Sequence, residues 1–302
     1  MTGMLTQELM REVRRLQVRT KRRVEGLFAG EYHTAFKGRG IEFADVREYE
    51  PGDDVRAIDW NVTARAGRPF IKRFVEEREL TVMLAVDLSA SGSFSSSAGG
   101  DARLKNQIAI EAAAVLALSA SLNHDRVGLC LFTDEIELFL RPGKGRAQSL
   151  RLLRELLSFE PRGRTTNIPA AVLHLGHVLN RRGTVFLISD FLTPGGPAPL
   201  ETPLRLLARK HEVVALQIVD PRERALPNVG LVEVVDPETG GRRLLDSSSR
   251  RVRETYAKAA AARDVQLGAV LGRSKVDRVE LSTARPFARD LERYFRMKER
   301  RR

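Results

Sequence analysis

One cysteine, one tryptophan, an aromatic content of 6% and no long apolar stretch narrow what this 302-residue sequence can be. The lone Cys130 has no partner within the chain, so an intramolecular disulfide is excluded. It sits inside the apolar run Val127-Gly128-Leu129-Cys130-Leu131-Phe132, where it reads as a small core residue. No apolar run approaches the roughly 20 residues that a membrane-spanning helix needs. The best candidate, Ala109 to Leu122, is interrupted by Glu111 and Ser119 and reads as a buried amphipathic helix. The start Met1-Thr2-Gly3-Met4 soon becomes charged and has no apolar core of a signal peptide, so a cytoplasmic location is expected. No G-x-x-x-x-G-K-[ST] loop occurs, which argues against an ATPase. None of the histidines His33, His124, His174, His177 and His211 falls where it could activate a serine at a strand end. His174 and His177 share a helix face, but no further zinc ligands accompany them. A non-enzymatic protein is expected.

Basic charge, by contrast, is in excess. Lysine and arginine number 51 against 39 acidic residues, a formal charge of +12. The clusters lie at the two ends, Arg11 to Arg23 and Arg293 to Arg302, and no stretch interleaves them with stacking aromatics. Solvated ends, or ends that meet an acidic protein, are favoured, and a basic nucleic-acid-associated protein is the alternative. Hydrophobic content of 42% and charged content of 30% suit an ordinary folded core.

Along the chain, 1–35 reads as a helical segment, with Leu5, Leu9, Val13 and Leu16 at helical spacing. Residues 36–80 alternate turn signals with short β-prone pieces and read as a small β-rich lead-in. There Tyr49, Arg56, Asp59, Trp60 and Arg65 are expected to form a buried polar network, and Trp60 is expected to anchor the lead-in against the main domain. From 81 to 302, strands and helices alternate, which predicts an α/β domain with a central, mostly parallel sheet and helices on both faces. A β-hairpin insertion is expected near 229–247, around Pro237-Glu238-Thr239-Gly240. Val265 to Leu271 reads as a further strand after a helix from Ser249 to Arg263.

The chemistry concentrates at strand ends. Thr81 to Val86 is a short apolar run followed by Asp87-Leu88-Ser89-Ala90-Ser91, a carboxylate and two hydroxyls at alternate positions. Thr184 to Ile188 is a second such run, ending in Ser189-Asp190, and Gly163-Arg164-Thr165-Thr166-Asn167 is a polar loop leading into a helical pattern. Open parallel sheets bind ligands at the carboxyl ends of neighbouring strands, so Asp87 and Asp190 can share one crevice with Thr166. Hard oxygen donors of this kind suit Mg²⁺.

These five residues, Asp87, Ser89, Ser91, Thr166 and Asp190, resemble the metal-ion-dependent adhesion site of a von Willebrand factor A domain. Thr166 is preferred to Thr165 because the family pattern places an Asn or Asp directly after the threonine, as Asn167 is here. The run from Gly38 through Pro51-Gly52-Asp53-Asp54-Val55-Arg56-Ala57-Ile58-Asp59-Trp60 to Glu77 resembles the bacterial family called domain of unknown function 58. Val219-Asp220-Pro221-Arg222-Glu223 and Asp236-Pro237-Glu238-Thr239-Gly240 resemble the same family. The resemblance implies a Rossmann-like A-type domain and a divalent metal (Mg²⁺, Mn²⁺ or Ca²⁺) held by the five residues. It also implies an open coordination position for a carboxylate of an acidic protein ligand. Members of the family are usually encoded beside MoxR-type AAA+ ATPases, which implies an adaptor working with such a motor in assembly or maturation of protein complexes.

Overall fold

The computed structural model describes residues 42–75, 80–93, 104–193, 195–236 and 238–301. The segment 1–35, expected to be helical, and residues 94–103 lie outside them. The described residues fall into two compact units, one within 36–80 and one from Thr81 onward.

The smaller unit is a hairpin of β1 (Glu42–Glu48) and β2 (Phe70–Val75), antiparallel with one bulge between Phe43 and Asp45. Helix α1 (Trp60–Ala66) fills the connection. Its start is set by Asp59, whose carboxylate accepts from the backbone N–H of Asn61 and Val62, and its end by Gly67 in the left-handed region at φ 70°. Arg47 pairs with Asp53 at 2.7 Å. The expected buried polar network is not formed. Trp60 occupies the first turn of α1 and is 67% exposed, and Arg56 and Arg65 are exposed too. The Asp-Trp pair serves a helix start, which turns the indole outward.

The larger unit contains eight strands: β3 (Thr81–Asp87), β4 (Arg126–Phe132), β5 (Ile136–Gly143), β6 (Thr184–Ser189), β7 (Glu212–Val219), β8 (Leu231–Val235), β9 (Arg242–Asp246) and β10 (Asp277–Ser282). Its helices are α2 (Lys105–Leu122), α3 (Gly145–Ser158), α4 (Ile168–Val178), α5 (Glu201–Lys210), α6 (Pro221–Arg224), α7 (Arg250–Arg273) and α8 (Ala288–Arg300). Six strands form one sheet in the order β10-β7-β6-β3-β4-β5, parallel except for β5 at the edge. Residues 82–87 and all of β6 are buried, as expected of central strands covered on both faces. Met83 and Ala85 of β3, Val185 and Leu187 of β6, and Val213 and Ala215 of β7 share one core cluster with α4, α5 and α7. The intervening residues, such as Leu84 and Phe186, are also fully buried and point to the opposite face.

Strands β8 and β9 form a separate antiparallel hairpin. Val265 to Leu271 belongs to α7 and is not a strand. Leu267, Val270 and Leu271 are buried whereas Val265 is 72% exposed, a helical spacing that the run of apolar letters masked.

Candidate functional site

The chain leaves β3 for β4 on one side and leaves β6 for β7 on the other, although β3 and β6 are neighbours. Their carboxyl ends therefore flank the crevice where the winding direction reverses. Asp87 is the last residue of β3 and shares the side-chain parity of Met83 and Ala85, which turns it toward the α4 layer. Asp190 follows β6 directly.

Three backbone contacts pin the loops around Asp87. Leu88 N–H donates to Phe132 O at 3.0 Å, Ala90 N–H to Arg164 O at 2.8 Å, and Asn167 N–H to Thr133 O at 2.9 Å. Glu137 of β5 accepts from Arg162 N–H at 2.8 Å and Gly163 N–H at 3.1 Å, which fixes the approach of the Thr166 loop. Asn167 caps α4, accepting from Ala170 N–H, with Pro169 inside the first turn.

The five residues singled out in the sequence all come to this crevice, and all are buried. Asp87 Oδ2 accepts from Thr166 Oγ1 at 2.8 Å and from Ser189 Oγ at 2.7 Å, while Oδ1 accepts from Ser89 N–H at 3.0 Å. Ser89 Oγ and Ser91 Oγ are hydrogen-bonded at 3.0 Å. Asp190 Oδ1 accepts from Leu192 N–H at 3.0 Å. Asp87, Ser89, Ser91 and Asp190 border a cavity of about 10 Å³, room for one water-sized body.

Four further groups escaped the sequence reading. Ser189 bridges Asp87 to the backbone of Phe191, accepting from its N–H at 2.9 Å. Lys105, the first residue of α2, is buried and donates to Asp190 Oδ2 at 2.6 Å and to Glu223 Oε1 at 2.5 Å. Glu223 is placed by a capping box: Asp220 accepts from Arg222 N–H, Pro221 opens α6, and the Glu223 carboxylate reaches back to Asp220 N–H. Glu238 lies at the tip of the β8–β9 hairpin, where its Oε1 is sealed from solvent without a hydrogen-bond partner among the described residues. Lys105 opens a helix and Glu223 completes an Asp-Pro-Arg-Glu cap, so each had a local role that hid its long-range one.

The electrostatics are strained toward the anionic side. Burial, and next the charge of Asp190, push the Asp87 carboxyl up to about 6, against the hydrogen bonds it accepts from Ser189 and Ser89. Burial also raises Glu223, more than Lys105 lowers it. Burial pulls the Lys105 ammonium down, but Asp190 and Glu223 outweigh it and leave it above the ordinary lysine value. Glu238 is pushed up to about 7, by burial first and then by Asp190 and Asp87. With the acids ionised, the buried Asp87 and Asp190 and the half-buried Glu223 are accompanied by one ammonium, which pairs with the latter two, an excess of two negative charges. Such an excess costs several kcal/mol per uncompensated ion. A divalent cation matches it, and hydroxyl and carboxylate oxygens are the donors Mg²⁺ takes. The donor set thus fits a divalent ion. Among the described residues no three acidic, His or Cys side chains are gathered closely enough to hold an ion by themselves, so an ion held here would need hydroxyls for part of its shell.

Among the described residues no histidine hydrogen-bonds to Ser89 or Ser91. His174 instead packs edge-on against Phe139 at 5.4 Å.

A family model, the protein of unknown function DUF58, matches residues 45–266. The chain belongs to the DUF58 family. An uncharacterized protein of Mycobacterium tuberculosis is 32% identical over 289 residues, covering 95% of this chain and 89% of its own length. Among solved structures, an aerotolerance-related membrane protein of Bacteroides fragilis is 14% identical with a TM-score of 0.46, covering 74% of this chain and all (100%) of its own. The VWA domain of SpRpn10 is 12% identical with a TM-score of 0.34, covering 71% and 94%. The six-stranded order with one antiparallel edge gives this DUF58 protein a von Willebrand factor A-like domain. No helix among its described residues is long and apolar enough to cross a membrane.

Proposed function

We propose that this DUF58 protein is a non-enzymatic, metal-dependent protein-interaction module whose ligand is an acidic side chain of a partner protein. The observation that carries this reading is the convergence of Asp87, Ser89, Ser91, Thr166 and Asp190 in one buried crevice with an unbalanced negative charge. Ser89, Ser91 and Thr166 would offer hydroxyl oxygens, and Asp87 and Asp190 would supply charge directly or through water. A divalent ion bound there, Mg²⁺ or alternatively Mn²⁺ or Ca²⁺, would supply a Lewis-acidic position for one external carboxylate. Ser189 and Thr166 would hold the Asp87 carboxylate in place, and Lys105 would hold Asp190 from behind.

The partner class follows from the family resemblance: a MoxR-type AAA+ ATPase, with this protein as a cytoplasmic adaptor in assembly or maturation of complexes. The test begins with calorimetric titration of Mg²⁺ and Mn²⁺ into the full chain, wild type beside Asp87→Ala. Saturable binding in wild type and its loss in the variant is the expected outcome. Equal heats in both would sink the assignment of the ligands.

A further inference from the structure

The hairpin β8–β9 stands apart from the main sheet and is tied at its base. Ser247 is buried, donates from Oγ to Gly230 O at 2.6 Å and accepts from Val229 N–H at 3.1 Å, while Arg253 donates to Ser247 O at 2.7 Å. The two strands are otherwise largely exposed, with Leu231 and Leu244 facing solvent. A two-stranded hairpin held in this way has marginal stability of its own, so its tip can move on its base at low cost.

One oxygen of the Glu238 carboxylate at the tip is nevertheless sealed from water, although Asp236, Thr239 and Gly240 around it are exposed. Asp236 accepts from the backbone N–H of Glu238 at 2.9 Å and of Thr239 at 3.3 Å, folding the turn so that Glu238 points inward. Glu238 and Ser91, Lys105, Asp190 and Glu223 border one cavity of about 500 Å³ with a largely apolar wall from Phe191, Ile218, Val234 and others. A carboxylate placed toward Asp190 and Asp87, with one oxygen buried and unpartnered, is an arrangement that repulsion and desolvation both oppose. A positive ion that reached Glu238 as well as Asp87 and Asp190 would relieve both penalties, and because the three acids are not gathered closely enough as they stand, the tip has to move inward to share it. Lys105 offsets only part of these penalties for Glu238, where burial and the two aspartates prevail, and its short bonds go to Asp190 and Glu223.

Resting on the metal reading above, we propose that Glu238 is a ligand supplied by the protein itself: the hairpin tip draws inward and places the Glu238 carboxylate on the divalent ion. The resting protein then fills with its own acid the position that an external carboxylate takes, and a partner must displace the hairpin to bind. The hairpin is a competitor built into the chain.

The experiment uses the full chain with Mn²⁺ alone as probe, comparing wild type, Glu238→Gln and Asp87→Ala. Electron paramagnetic resonance reports affinity, and water-proton relaxation reports the waters on the bound ion. Replacing the carboxylate should weaken Mn²⁺ binding by about tenfold and raise the relaxivity per bound ion as water enters. Amide hydrogen exchange across β8 and β9 should slow with Mg²⁺ in wild type and not in Glu238→Gln. Because Glu238 is at the tip of an exposed turn, the variant should keep its fold, as circular dichroism would show. Unchanged affinity and relaxivity in Glu238→Gln, with binding lost in Asp87→Ala, would overturn the internal ligand and leave the metal centre standing. Absence of Mn²⁺ binding in wild type would overturn both.

Discussion

Asp87 is the residue on which most of the site's energetics turn. Its folded carboxyl titrates near 6 against an ordinary 3.8, raised by burial and by Asp190. An acid raised by folding favours the folded state when protonated. That contribution is full below about pH 4 and is lost as pH rises through 6. Asp87→Asn cannot ionise, so the stability of wild type relative to this variant, measured in EDTA, should fall by on the order of 3 kcal/mol between pH 4 and pH 7. Paired urea titrations across that range check it, and a constant difference would mean that Asp87 is not desolvated as described. Adding Mg²⁺ at pH 7 should recover stability in wild type only. The acid was legible in the sequence because it ends an apolar strand beside Ser89 and Ser91. Its neighbours Lys105 and Glu223 were not, since 85 and 118 residues separate Lys105 from Asp190 and from Glu223. Only the assembled sheet brings such distant charges together.

At the scale of elements, the central strands were legible because β3 and β6 are short, apolar and bounded by turns. Val265 to Leu271 was misleading for the same reason: a short apolar run in isolation looks alike in strand and helix, and only the burial of one face separates them. The packing of β6 on β3 depends on a detail that composition hides. A Cβ built on Gly183 would lie 2.3 Å from the backbone oxygen of Thr81, a contact neither strand can relieve by a side-chain turn. Gly183→Ala should therefore destabilise the fold by about 1–3 kcal/mol, the usual cost of overpacking. Gly272, inside α7, has nothing within 4 Å of the same added atom. Gly272→Ala should instead leave stability unchanged or raise it by up to about 1 kcal/mol, since alanine loses less entropy in a helix. Thermal unfolding of both variants side by side is the check. A Gly183→Ala protein melting with wild type would show that the strands can separate locally at no cost.

For the molecule as a whole, a net charge of +12 coexists with a crevice carrying an excess of negative charge. The two act over different distances. The overall charge is screened beyond about 8 Å at physiological ionic strength, while the buried acids act within a few ångströms and are screened far less. The positive surface will therefore attract any polyanion at low salt, and that attraction has no connection with the crevice. A fluorescein-labelled DNA duplex should bind weakly at 50 mM NaCl and lose about 10³-fold or more in affinity by 200 mM, as phosphate contacts do. Neither EDTA nor Asp87→Ala should alter that isotherm, because counterion release does not involve the site. Capture of an acidic protein ligand should show the opposite signature, modest loss with salt and abolition by EDTA or by Asp87→Ala. Fluorescence anisotropy across a salt series, with and without chelator, separates the two. DNA binding that survived physiological salt and required Asp87 would join surface and crevice in one nucleic-acid site and overturn the reading of the crevice as a receptor for protein carboxylates.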